Sequence, residues 1–322
     1  MSRYLLRRLG QAALVLWAAY TVSFLVLYAL PGDAVDTKFG GEASDITPEQ
    51  LQALREQYGL DRAVPLQYLS RLGRALTGDF GTSFDSGRPV SALIAESLPA
   101  TAAVAGLALL LGILGGTALA LLAAAGSPDR WYSRLPLNLP PLGVAVPSFL
   151  VGLLLLELFS FRLHLFPAIG NEGIGSIVLP AITLAIPTGA VVAQLLAKSL
   201  HQTMSQPYAD TARAKGASEA RVLRRHAVRN AVIPALTISG VLVGQLLSGA
   251  VITETVFSRT GLGRLTATAV SGQDIPVVQG IVVFGALVFV LVNLTVDLLY
   301  PLLDKRIVHS ARRAPTTTGG GS

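Results

Sequence analysis

Long apolar runs alternate with polar segments along this chain, and six of the runs are near the roughly 20 residues that a helix needs to cross a bilayer. Gly and Pro occur inside several runs, which packed membrane helices tolerate better than soluble helices do. The pattern therefore predicts an all-α integral membrane protein with six transmembrane helices. We place the spans at about Leu9–Leu30, Leu98–Ala125, Leu137–Phe161, Ile177–Leu200, Val232–Phe257 and Val278–Leu303.

The segment between the first two runs, Pro31–Ser97, is long enough to fold by itself, and it carries ten acidic and six basic residues. Thr47-Pro48-Glu49-Gln50 has the composition of a capped helix start, with proline in the first turn and a capping-box glutamine. We expect Gly59 to end that helix and a second helix to cover about 65–76, ending at Gly78. The segment is predicted to be a small helical insertion, either a lid or docking surface or a purely structural loop.

Lys and Arg are distributed unevenly over the two sides that six spans define. Sixteen of them lie beside the two termini and the connections that follow the second and fourth spans, against three on the other side outside the insertion. Basic residues near span ends gather on the cytoplasmic side of a membrane. Both termini are therefore predicted to be cytoplasmic and the insertion external.

Composition supports a membrane class and removes several kinds of chemistry. The 322 residues are 52% hydrophobic and only 14% charged, with a mean hydropathy of +0.58, and none is cysteine. Disulfides, thiolate metal sites and cysteine nucleophiles are thereby excluded. A pI near 9.8 could indicate nucleic-acid binding, but the basic residues cluster beside apolar spans, which favours membrane lipid and no nucleic acid.

A basic connection between the fourth and fifth spans carries the most specific signal. Ala209–Lys215 are mostly good helix formers, and Gly216 follows where a helix would end in a left-handed cap. Ser218 can cap a second short helix that runs towards Asn230. Two short helices with a sharp bend predict a compact knob, although an ordinary positive-inside loop would show the same charge.

The residue string of this connection resembles the cytoplasmic coupling loop, or EAA loop, of ABC-importer permeases. Asp210, Ala212 and Gly216 take the places of the acidic residue, the second alanine and the glycine of that loop. Pro234 follows Gly216 by eighteen residues, a longer spacing than in the general family. With the strings Thr-Ala-Arg-Ala-Lys-Gly and His-Ala-x-Arg-Asn-Ala, this spacing resembles the B-type subunit of the dipeptide/oligopeptide/nickel branch.

The resemblance continues to about Val308 and implies an organisation of the chain. It implies a type I ABC-importer permease in the bacterial cytoplasmic (inner) membrane. Residues 1–30 would be the cytoplasmic N-terminus and first span, 31–97 the external insertion, 98–308 the permease core, and 309–322 a flexible cytoplasmic tail. The coupling loop would cover 201–230. Its candidate ATPase-coupling residues are Tyr208, Ala209, Asp210, Thr211, Ala212, Arg213, Ala214, Lys215, Gly216, Arg224, Arg225, His226 and Arg229.

The resemblance also implies partners and an activity. A second homologous permease subunit, one or two ABC ATPase subunits and an external solute-binding protein are expected, with ATP and Mg on the ATPases and no cofactor in this chain. The chain would carry di- or oligopeptides by alternating access without catalysing a reaction. Nickel, haem, glutathione or an antibiotic could replace peptide, and a secondary transporter or a membrane-embedded enzyme remains as an alternative of another class.

Catalytic motifs are not visible in the sequence. A P-loop requires glycines before a Lys-Ser or Lys-Thr pair, whereas Lys198-Ser199 follows alanine and better fits the inner end of a span. No His, Asp and Glu residues have a metal-ligand spacing, and no serine motif of an intramembrane protease is present. We therefore predict a non-catalytic subunit whose ATPase is another chain.

Polar residues inside the apolar runs need an explanation, since ionisable groups in a membrane are costly. They could line a passage or form helix-to-helix hydrogen bonds. For Glu254 the two roles are about equally expected. Asp297 is expected to pair with Arg306 or with a basic loop. The candidates are Gln194, Gln245, Thr253, Glu254, Asn293 and Asp297.

Overall fold

The structure is a computed structural model that describes residues 2–28, 47–57, 61–125, 131–222 and 228–303. Within these ranges the chain forms twelve α-helices and one π-helical segment, and no β-strand. In order they are α1 Ser2–Tyr28, α2 Pro48–Gln57, α3 Val64–Ala75, α4 Val90–Ala125, α5 Trp131–Ala145, α6 Ser148–Leu155, the π-helix Leu156–Arg162, α7 Gly175–Met204, α8 Pro207–Ala214, α9 Glu219–Val222, α10 Val228–Val256, α11 Leu262–Ser271 and α12 Ile275–Leu303.

Helix α7 is the centre of the bundle and packs against α4, α5, α6 and α10. Of the most apolar stretch of α7, 61% is buried inside the bundle, whereas the corresponding shares are 17% in α1, 22% in α4 and 28% in α12. Small residues allow the close approach of α4 to α7, because a Cβ at Gly116 would overlap the carbonyl oxygen of Gly189. The outer faces of α1, α4 and α12 are therefore left for lipid or for another subunit.

The all-helical membrane fold class is confirmed. Among the described residues, four helices are long and apolar enough to cross a membrane, and they lie in α1, α4, α7 and α12. The bent pair of α5 with α6 and its π-helical continuation would be a fifth span. The predicted span Val232–Phe257 lies within α10, where the described apolar part is the shorter Gly240–Val256. The number six remains a prediction.

One predicted span is not a continuous helix. The run Leu137–Phe161 breaks into 138–145 and 148–162, which meet at 94°. Pro147 stands at the break with φ −58° and ψ 132°, so it is extended instead of helical. Proline has no N–H for the helix ladder and disfavours the α-conformation of the residue before it, which explains the bend. Pro187, in contrast, lies inside the unbroken α7.

The insertion between the first two spans folds as its local signals predict. The Thr47 N–H donates to Gln50 Oε1 at 2.9 Å and the Gln50 N–H donates to Thr47 Oγ1 at 3.3 Å, which is the reciprocal capping box. The second helix, α3, ends before Gly78, whose φ is +80°. Tyr68 fastens α3 to α1, since its hydroxyl is 2.8 Å from Thr21 Oγ1. Gly59 lies outside the described residues.

Two sets of contacts define the two ends of the bundle. Asp297 Oδ1, in the last third of α12, lies 2.9 Å from Arg8 Nη2 of α1. Asp274, which precedes α12, instead accepts a hydrogen bond from Ser83 Oγ at 2.5 Å. Asp297 follows Asp274 by twenty-three residues, which is roughly 35 Å along a helix. The N-terminal part of α1 thus lies at one end, and the residues around Ser83 lie at the other.

Candidate functional site

The predicted coupling loop folds as a helix, a glycine bend and a second short helix. The Ala217 N–H donates to Ala212 O at 3.1 Å and the Gly216 N–H donates to Arg213 O at 2.9 Å. Gly216 has φ +81°. This pair of bonds around a left-handed glycine is the Schellman ending of α8. The carbonyl of Ser218 then starts α9 by accepting from the N–H groups of Arg221 and Val222.

The knob has a small buried interior and an exposed polar face. Ala209 and Val222 are fully buried, while Tyr208 is 41% exposed. Arg213 Nη1 donates to Asp210 Oδ1 at 2.7 Å and to the carbonyl of Met204 at 3.2 Å, which ties α8 to the end of α7. The Asp210 side chain remains 73% exposed. The knob therefore presents an accessible surface directly below the most buried helix of the bundle.

The remaining candidate coupling residues differ in their exposure to solvent. Thr211, Ala214, Lys215 and Gly216 are exposed, and Ala212 is half-buried. Arg224, Arg225 and His226 lie outside the described residues, and Arg229 is in α10 with its side chain outside them. The predicted extension of the second helix to Asn230 is therefore described only as far as Val222.

Glu254, for which a pathway role and a structural role were equally expected, is buried at a joint between three helices. Its Oε1 accepts from Thr101 Oγ1 of α4 at 2.6 Å, and its Oε2 accepts from the Arg264 N–H of α11 at 3.1 Å. Thr101 Oγ1 also accepts from the Leu262 N–H at 2.8 Å. A Cβ at Gly261 would overlap the carboxylate, so glycine is required for this approach. The contacts give Glu254 a structural role in joining α4, α10 and α11.

Arg259 is a second buried ion at the same end, and sequence reasoning did not select it. It is 2% exposed, and its Nη1 donates to Ser176 O at 2.8 Å and to Gly170 O at 3.0 Å. Burial lowers the pKa of Arg259, and the nearby Glu254 carboxylate opposes that shift. The one signal in the sequence that could have identified Arg259 is its position five residues after the intramembrane Glu254. Arg259 holds the start of α7 against the end of α10.

Asp274 was also missed as a structural residue. Ser83 Oγ donates to its Oδ2 at 2.5 Å, and the Phe84 N–H donates to its Oδ1 at 3.1 Å. The Asp85 N–H adds a third bond at 3.3 Å. An aspartate just before Ile275-Pro276 would suggest a helix cap. Instead its carboxylate binds the insertion to the start of α12.

The other polar candidates differ in burial and in hydrogen bonding. Gln194 and Gln245 are exposed, and Thr253 is buried with no hydrogen bond from its hydroxyl to the described residues. Asn293 Nδ2 donates within α12 to the carbonyl of Phe289 at 2.8 Å.

Asp297 forms an ion pair with the first helix. It pairs with Arg8 of α1 at 2.9 Å, beside a cavity of about 520 Å³. Arg306, its predicted partner, lies outside the described residues. The structural role expected for Asp297 fits this contact, but the helix that it joins to α12 is the first one.

Comparison with known proteins identifies the class. Residues 112–309 match the family described as "Binding-protein-dependent transport system inner membrane component", and residues 1–105 match its N-terminal family. The chain belongs to this family, and it is a permease subunit of an ABC importer in the inner membrane.

Individual relatives agree over almost the whole length. Glutathione transport system permease protein GsiC of Salmonella typhimurium is 36% identical over 307 residues, covering 95% of this chain and 99% of that protein. GsiC of Escherichia coli is 34% identical over the same length. In fold, the chain is similar to the MetNI methionine ABC transporter in its inward-facing conformations. The TM-score is 0.57 at 14% identity, covering 66% of this chain and 96% of that one.

Proposed function

We propose that this permease carries small peptides and that glutathione, itself a tripeptide, belongs to its substrates. The observation that supports this proposal is the 36% identity to GsiC across 99% of that protein. The dipeptide/oligopeptide/nickel resemblance of the coupling loop points to the same substrate class. Nickel and haem importers would share this architecture, and a direct transport test separates them from peptide importers.

The assembly that we propose has this chain beside a second homologous permease, with one or two ABC ATPases on one face and a solute-binding protein on the other. The knob of α8 and α9 is exposed and carries Lys215 and Arg221, which suits a groove on an ATPase. The excess of Lys and Arg supports a cytoplasmic position for this knob and for both termini. The insertion is then external, where it can receive the binding protein.

The proposed mechanism is alternating access. The ATPases bind ATP with Mg and close, and the knob transmits their movement to the bundle through the bond from Arg213 to Met204 at the end of α7. Because α7 contacts α4, α5, α6 and α10, a displacement of its inner end is passed to most of the bundle. This chain moves solute and makes or breaks no covalent bond.

The test is uptake by the assembled transporter. The chain is purified with the ATPase and binding protein that accompany it, and the complex is reconstituted into liposomes. ATP-dependent accumulation of labelled glutathione, a dipeptide and nickel is then compared. We expect glutathione or the dipeptide to accumulate and nickel not to. Accumulation of nickel alone would refute the peptide assignment while leaving the permease class intact.

A further inference from the structure

Helices α7 and α10 pack against each other inside the bundle, and one side of this pair is open. Cδ2 of Leu184 in α7 is 2.8 Å from the position that a Cβ on Gly249 of α10 would take, so these two residues mark the line of contact. α7 runs towards the knob and α10 runs away from it, so the helices are antiparallel. Leu184 and Leu246 are buried with Val104 and Ala108 of α4. α4 therefore covers one side of the pair.

Exposed residues of both helices lie on the other side. Each residue of an α-helix turns the chain by about 100°, so Gln194 is about 80° from the line of contact. Gln245 and Ser248 are about 40° and 100° from the same line. All three offsets have the same sense along their own chains, and in antiparallel helices this brings the side chains to one side of the pair. Leu246 is offset in the opposite sense, in agreement with its burial against α4.

This open side carries polar groups inside two apolar helices. Gln194 and Lys198 are the polar residues that α7 exposes between 181 and 200, and they have the same offset. The side chains of Gln194, Gln245 and Ser248 make no hydrogen bond to the described residues. On α10 the exposed residues between 241 and 256 are spaced by four and three and form one stripe. They are Val241, Gln245, Ser248, Ile252 and Thr255.

Lipid does not suit this side, which we call the polar face (Gln194, Lys198, Gln245 and Ser248). From Pro99 to Leu122 of α4, the exposed residues carry no polar side chain, which is the pattern of a lipid-facing surface. An amide or hydroxyl without a hydrogen bond is costly in hydrocarbon. Polar residues within membrane helices instead face the bundle interior or a water-filled cavity. The polar face therefore indicates contact with water and with polar groups of a ligand.

We propose that the polar face lines the passage along which the solute moves, and that it binds the amide groups and a carboxylate of a small peptide. Side-chain amides both donate and accept hydrogen bonds, as peptide groups do. Lys198, nearest the knob, attracts a carboxylate. The polar face extends over about 20 Å along the helices, against about 10 Å for an extended tripeptide. The second permease supplies the opposite wall. The identity of the solute rests on the proposed function, whereas the position of the passage does not.

Single cysteines test whether water reaches the polar face, because the chain contains no other cysteine. The variants are Gln194→Cys, Gln245→Cys and Ser248→Cys, of which the last replaces one oxygen by sulfur and should not disturb folding. The matched controls are Leu110→Cys and Leu114→Cys, at side chains of α4 that are 54% and 59% exposed. The assembled transporter is reconstituted in liposomes with a charged, membrane-impermeant thiosulfonate on both sides. Modification of this chain is followed by mass.

The reagent attacks the thiolate, which forms in water and is disfavoured in hydrocarbon. We expect cysteines on the polar face to react faster than the α4 controls by about tenfold or more. Equal rates at the two surfaces would overturn the proposal, since the polar face would then lie against lipid or be covered by the second permease. No solute is needed, so this result holds even if the transported solute is not a peptide.

Uptake links the polar face to the solute. Modified Ser248→Cys should take up severalfold less of whichever solute the wild type carries, and the same treatment should not affect Leu110→Cys. Unchanged uptake by modified Ser248→Cys would overturn the passage. Lys198→Gln should lower uptake of glutathione, which has two carboxylates and one amine, more than uptake of a dipeptide with one of each. Equal effects on both would overturn the role of Lys198. Uptake of nickel alone by the wild type would refute the peptide and leave the passage to the labelling result.

Discussion

The two ends of this permease, the joint end around Glu254 and the knob end at α8 and α9, hold their charges in opposite ways. At the joint end Glu254, Arg259 and Asp274 are at most 2% exposed, and each bonds to the backbone or side chains of a distant segment. At the knob end Asp210 is 73% exposed, and its ion pair with Arg213 spans only three residues.

The difference indicates which end is fixed and which is available. Buried charges in a medium of low dielectric are held strongly when all their bonds are made, and they are expensive to disturb. Exposed local pairs contribute little and leave their surface free for another protein. We infer that the joint end is held fixed and that the knob is a docking surface. Four predictions test this difference between the two ends.

The largest effect is expected at Glu254. Glu254→Ala leaves the Thr101 hydroxyl and the Arg264 N–H without their acceptor and leaves the Arg259 charge without its neighbour. We expect the free energy of unfolding in detergent to fall by about 3 kcal/mol or more. The matched control is Glu157→Ala, where the carboxylate is 54% exposed and pairs locally with Arg162, so that about 1 kcal/mol or less should be lost. Equal losses would mean that burial does not distinguish the two glutamates.

A smaller and more local effect is expected at Asp274. Asp274→Ala removes the acceptor for Ser83, Phe84 and Asp85 and should loosen the attachment of the insertion by about 2 kcal/mol. Amide hydrogen exchange over 81–90 should become faster, while exchange in α7 should not change. Asp61→Ala, at an exposed aspartate, is the control. Unchanged protection of 81–90 would show that the carboxylate does not hold the insertion.

At the knob end a mutation should affect docking more than stability. Gly216→Ala places a Cβ at φ +81°, where it meets no neighbouring atom, so the cost is backbone strain of about 1 kcal/mol. We expect less ATPase to be retained on purification and less solute to be carried per ATP. The control is Gly73→Ala, which also meets no atom and lies in the helical α3. Wild-type coupling in the Gly216→Ala variant would mean that the knob is an ordinary connecting loop with no role in coupling.

The smallest effect tests whether burial, and not position at the joint end, makes the difference. The pair of Arg74 and Asp79 belongs to the insertion, but its side chains are 55% and 49% exposed. The bond from Arg74 lowers the pKa of Asp79, so the stabilisation is complete above about pH 4 and is lost as the pH falls further through the lowered pKa. We expect the pair to contribute less than about 1 kcal/mol to stability. Its loss should appear as faster hydrogen exchange of the Gly81 amide, after correction for the change of the intrinsic exchange rate with pH. Arg74→Gln should move this transition to higher pH, and an unmoved transition would exclude the pair as its cause.

Local signals in the sequence predicted local structure well. The capping box at Thr47, the end of α3 before Gly78 and the left-handed Gly216 each depend on residues within a few positions of one another, and all three are confirmed. The break at Pro147 was missed because the same residue type lies inside an unbroken helix at Pro187. Whether a proline breaks a helix depends on how the neighbouring helices hold the chain on both sides.

The sequence by itself determined the apolar spans, the charge asymmetry, the capped helices of the insertion and the coupling-loop motif, because each is carried by composition or by short-range spacing. Only the tertiary structure decided the roles of the buried charges. Thr101 and Glu254 are 153 residues apart in the chain, and Ser83 and Asp274 are 191 apart. A carboxylate in an apolar run is costly wherever it lies, and its partner is known only once folding has brought the helix ends together.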